Sequence, residues 1–122
     1  MKGTEVTDPS AGLAGELAEW PSIHQMTKLL RASGLEIVVG QYSVRVQDCD
    51  HFVFQEYGGD YWPPVIDADA DTVEEMIRDA KLVSNALTNA GIRHRFEVYN
   101  SEDVLVGYIH HEWPLEDAVP DI

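Results

Sequence analysis

The chain has a single cysteine, so no internal disulfide can staple it, and the cytosol is the expected compartment. Basic residues are also scarce: 8 Lys and Arg stand against 22 Asp and Glu, for a net charge of −14. Nucleic acid and anionic membrane surfaces both need clustered cations, so neither is expected as a direct partner. No stretch approaches the roughly 18 consecutive apolar residues of a spanning helix. Met1 to Ser10 has no apolar run of secretory type. There is no GxSxG, Walker loop, dinucleotide fingerprint, HExxH or CxxC. No positive sign of an enzyme remains, and no cofactor or metal is expected.

What is present is enough for one folded domain: 122 residues, 44% of them hydrophobic. The expected layout is a flexible leader over 1–12, one α+β domain over 13–114 and an acidic irregular tail over 115–122. The charge is uneven. Residues 1–34 carry a net −1, 35–66 and 67–91 carry −4 each, and 92–122 carry −5. The acid therefore lies on the folded body as well as in the tail.

Periodicity supplies the elements. Leu13, Leu17 and Trp20 have the spacing of a short amphipathic turn. Ser22 and Gln25 form a capping-box pattern ahead of the apolar stripe Ile23, Met26, Leu29 and Leu30, and Gly34 suits the helix end. A helix is predicted over 22–33. Residues 35–47 read as extended, with a phase change at Gly40 that suits a bulge or a strand break. A hairpin of 41–47 with 51–57 is expected around Asp48-Cys49-Asp50. Residues 58–66 read as a loop. Val73, Met76, Ile77, Ala80, Val83 and Leu87 predict a helix over 71–90, capped from Asp71 or Thr72 and ended by Gly91. Residues 92–99 and 104–111 make a second hairpin.

The order is α-β-β-α-β-β, two copies of one plan. The expected architecture is α+β: a mostly antiparallel sheet of four or five strands with two helices on one face. The other face is then left uncovered. The element order and the acidity loosely resemble type III secretion chaperones, a likeness of order alone.

Each tryptophan precedes a proline, at 20–21, 62–63 and 113–114, and reads as a corner plug. Around the middle one, Tyr57, Tyr61 and Trp62 form an aromatic loop with Gly58, Gly59 and Asp60, of the kind favoured at interfaces. Asp67, Asp69 and Asp71 repeat at every second residue. They fail as a calcium loop, because the sixth place is Thr72 and the twelfth is Arg78. They are read instead as helix-capping acids. His110 is placed to share a face with Glu112 and His94, as a packed core cluster or in a catalytic or metal role, while His111 points the other way. His24 and His51 have no context that singles them out. Cys49 lies between two aspartates, which disfavours the thiolate.

The leading expectation is a small acidic protein-binding module of adaptor, immunity, inhibitor or chaperone type. It would meet a basic protein surface through Tyr57, Asp60, Tyr61, Trp62, Asp67, Asp69, Glu74 and Glu75. The alternatives are a small-molecule binder or enzyme with a histidine-lined pocket, a nucleic-acid-mimicking inhibitor using a row of acids that extends to Asp79, and a homodimer joined through sheet faces or edges.

Overall fold

The capping box forms as the sequence predicts. In the computed structural model, which describes residues 8–55, 57 and 63–113, the Ser22 hydroxyl accepts the Gln25 N–H while the Gln25 side chain accepts the Ser22 N–H. Helix α1 runs Ile23–Ala32 and buries Met26 and Leu30. Helix α2 runs Val73–Asn89, with Thr72 rather than Asp71 as its cap, accepting the Glu75 N–H at 3.1 Å. Gly34 and Gly91 follow the two helices at φ 86° and 76°, the left-handed conformation that glycine adopts without a Cβ penalty.

The sheet is larger than expected. It has seven strands, all antiparallel to their neighbours, in place of four or five. In chain order they are β1 (Ala11–Leu17), β2 (Ile37–Val39), β3 (Val44–Val46), β4 (His51–Gln55), β5 (Val65–Ala70), β6 (His94–Asn100) and β7 (Leu105–His111). In space they lie β2-β3-β4-β5-β1-β6-β7. The hairpins β3–β4 and β6–β7 are those read from the alternation. At Gly40 the chain turns from β2 to β3, with Gly40 N–H donating to Ser43 O.

Two strands correct the sequence reading. The first is β1, where a leader and a helical turn were expected. Ala11, Leu13, Gly15 and Leu17 all share the helix side of the sheet with Val98, Phe96 and His94. Gly15 hides this period because its inward position has no side chain: a Cβ there would meet Ile66 Cδ1 at 2.8 Å and Phe96 Cδ1 at 2.9 Å. The second is β5, where loop and cap were expected. The spacing of two in Asp67 and Asp69 is strand alternation, with Ile66, Ala68 and Ala70 turned inward between them. Alanine and aspartate are poor strand formers, and pairing on both sides overrides that preference.

Both helices lie on one face. Helix α2 packs on β6, β7, β1 and β5, and α1 packs on β2, β3 and α2. The core closes around Phe52, Phe54 and Phe96, with ring centroids 5.7 Å apart from Phe52 to each of the others. The expected repeat of two α-β-β copies is not matched in detail: a strand precedes each helix, and three strands follow α1 where two follow α2. The units β1-α1-β2-β3-β4 and β5-α2-β6-β7 exchange their leading strands at the sheet centre, where β1 lies beside β6 and β5 beside β4.

Candidate functional site

One buried carboxylate organises an acidic end of the molecule. Asp79 belongs to the inward stripe of α2 and is fully enclosed, not part of an exposed acidic row. Its Oδ2 accepts the backbone N–H of Asp50 at 3.0 Å, and its Oδ1 accepts from Arg78 at 3.1 Å. That bond fixes the turn before β4 against the start of α2. The turn then presents Asp50 to the helix side and His51 to the uncovered face.

On the helix side, the carboxylates of Asp50, Asp71 and Glu75 come within 4.8 Å of one another. Glu75 Oε1 is enclosed and has no hydrogen-bond partner among the described residues. The charge of Asp50, then burial and Asp71, holds the Glu75 carboxyl above the usual carboxylate range. Glu74 is exposed beside it in the first turn.

On the uncovered face, His51 lies opposite Asp69 in the ladder, with Asp67 two residues back. The three groups fall within 4.8 Å of one another. Arg45 approaches His51 Nδ1 at 3.4 Å, and Asp67 Oδ2 approaches Nε2 at 3.1 Å. A guanidinium only donates, so Nδ1 accepts and Nε2 carries the hydrogen that Asp67 receives. Gln55 donates to the same Asp67 oxygen at 3.1 Å.

The predicted residues therefore divide. Asp67, Asp69, Glu74 and Glu75 are brought to one end, joined by Asp71, read from the sequence as a capping acid, and by Asp50 and His51, which the sequence did not single out. The register of β4 against β5 is the signal that groups His51 with the aspartates, and it was hidden while β5 read as a loop. Tyr57 is drawn inward: its ring stands edge-on to Trp20 at 5.4 Å, and its hydroxyl donates to the carbonyls of Pro21 and Ser22. It fixes the entry to α1. Asp60, Tyr61 and Trp62 lie outside the described residues.

The histidine cluster is regrouped. A bulge at Val106 pairs Tyr99 with Leu105 but Val98 with Gly107, so β7 slips by one residue. His111, not His110, then lies opposite His94. His110 turns to the uncovered face and stacks on Tyr108 at 5.0 Å. His94 is fully buried, with Nδ1 on Ile92 O at 2.8 Å and Nε2 on Ser84 Oγ at 2.7 Å. Cys49 is buried as well; burial first, then the charges of Asp79 and Asp48, pushes its thiol up to about 12.

The open clefts lie elsewhere. Strand β1 pairs with β6 over seven positions but with β5 over three, and the splayed end holds a cavity of about 790 Å³ lined by Ala14, Glu16, Val65 and Trp113, among others. A second, of about 630 Å³, runs beside α1 past Trp20, Lys28 and Ile92. A third, of about 410 Å³, lies over Tyr42, Arg45 and Gln55. Among the described residues, no histidine lines any of these three. Among the described residues, no helix is long and apolar enough to cross a membrane.

No family model, curated protein or solved structure matches this chain.

Proposed function

We propose that the chain is a small acidic protein-binding module that docks a basic protein surface at the end formed by the start of α2 and the adjoining part of β4 and β5. The observation that carries this reading is the gathering of Asp50, Asp67, Asp69, Asp71, Glu74 and Glu75 around one corner. The nearby cations are engaged, Arg45 with His51 and Arg78 with Asp79. Complementary charge of this kind speeds encounter and selects the partner more than it adds affinity. The six acids wrap from the sheet face onto a helix end, which suits a protein surface better than the parallel phosphate rows a nucleic-acid mimic must copy. The enclosed, satisfied His94 supplies no acid–base group to a cleft, which favours binding over catalysis. A cytoplasmic setting accords with one thiol that needs no pairing.

The test is capture from lysate with the intact chain, with Asp67→Asn/Asp69→Asn and with Glu74→Gln. Recovery of the partner should fall several-fold in the variants, and also as salt is raised. Capture indifferent to both salt and the acidic substitutions would overturn the proposal.

A further inference from the structure

The two outer strands of the sheet are unlike. Strand β2 has three residues, too few to template another strand, whereas β7 has seven. Among the described residues nothing pairs with the outer edge of β7. Four of the eight exposed large hydrophobic side chains sit on it or just before it: Val104 (51%), Leu105 (50%), Val106 (37%) and Tyr108 (44%). Proteins guard such an edge with lysine, proline, inward charge or a bulge. Among the described residues the bulge at Val106 is the one guard present, and Gly107–His111 continues beyond it as an unbroken run.

Charge identifies the occupant. Residues 104–111, VLVGYIHH, contain no Asp, Glu, Lys or Arg in a chain with 22 acids. A basic partner would find no carboxylate here. An identical strand finds an apolar, uncharged match and meets no like charge along the ladder. We infer that β7 pairs antiparallel with β7 of a second copy across a two-fold axis, joining two sheets into one of fourteen strands. The shared sheet covers the apolar residues of both edges and leaves the two acidic ends free.

Sedimentation velocity from micromolar to near-millimolar concentration tests this on the unaltered chain. A reversible monomer–dimer equilibrium is expected, tightening as salt screens two bodies of net −14 each. That is the opposite salt response to the one expected for a basic partner, so the two proposals fail separately. Tyr108→Lys should weaken the dimer by at least about tenfold, and Val38→Lys on β2 should not. If Tyr108→Lys does not fold, amide exchange on the unaltered chain decides: protection of 105–111 should rise with concentration while that of 37–39 stays constant. A monomer at every concentration, or a dimer whose protection appears away from β7, overturns the inference.

Discussion

The hydroxyl of Ser84 donates to Nε2 of His94 across 2.7 Å, tying α2 to β6 inside the core. The other ring nitrogen donates to Ile92 O, so the imidazole is neutral, in one tautomer and satisfied at both ends. Buried polar groups persist when they are paired in this way.

Acid should loosen that pairing. Burial lowers the His94 pKa from 6.5, outweighing the bond to Ile92. A depressed folded pKa means that the unfolded chain takes up the proton first. The contribution of His94 is therefore complete above about pH 6.5 and is lost as pH falls through the lower folded value. Urea unfolding at about pH 7.5 and about pH 5 should show the loss, and His94→Gln should flatten it. Ser84→Ala, which strands Nε2, should cost about 1–3 kcal/mol at neutral pH.

Glu75 has the reverse sign. Its pKa is raised from 4.5 by Asp50 above all, so its contribution is full below the unfolded value and is lost as pH rises through the folded one. Glu75→Gln should therefore melt higher than the unaltered chain at neutral pH. The gap should close near pH 4, about where the carboxyl is protonated in both states. A lower melting temperature for Glu75→Gln at pH 7 would count against the repulsion described here.

Gly15 is a packing requirement. A Cβ there falls 2.8 Å from Ile66 Cδ1 and 2.9 Å from Phe96 Cδ1. Gly15→Ala should destabilise by about 1–3 kcal/mol through overpacking. Adding Ile66→Val removes the Cδ1 methyl, one of the two obstructing carbons, and should recover part of the loss, a coupling that a double-mutant cycle measures.

Cys49 should resist alkylation. With its thiol pushed up to about 12 and enclosed beside the Asp79 carbonyl, it presents almost no thiolate at neutral pH. Iodoacetamide should label it slowly in the native chain and rapidly in denaturant. Equal rates would place the thiol at the surface.

The parts of this fold that were legible in the sequence are those whose signals are local. Ser22 with Gln25 marked α1, the stripe through Met76, Ala80 and Val83 marked α2, and alternation marked the hairpins β3–β4 and β6–β7. The two central strands were not legible. Gly12, Gly15 and the alanines of β1, and the Asp-Ala alternation of β5, carry little intrinsic preference and become strands only by pairing with neighbours distant in sequence. The acidic end was half legible for the same reason. Asp67, Asp69, Glu74 and Glu75 could be named, but Asp50 and His51 join them only through the β4–β5 register and the buried Asp79. The His94 partner was missed by one residue because a single bulge at Val106 shifts every later position of β7.

The exchange of leading strands also sets the order in which the chain can be completed during synthesis. Strand β1, made before every other strand of this sheet, has its longest ladder with β6, beginning at His94. Until that segment leaves the ribosome, β1 has only the three-residue contact with β5, and the centre of the sheet stays open. Long-range closure of this kind is slow. A chain stalled before β6 would expose the inner faces of β1 and β5 together, the surface on which folding helpers and proteases would compete for it.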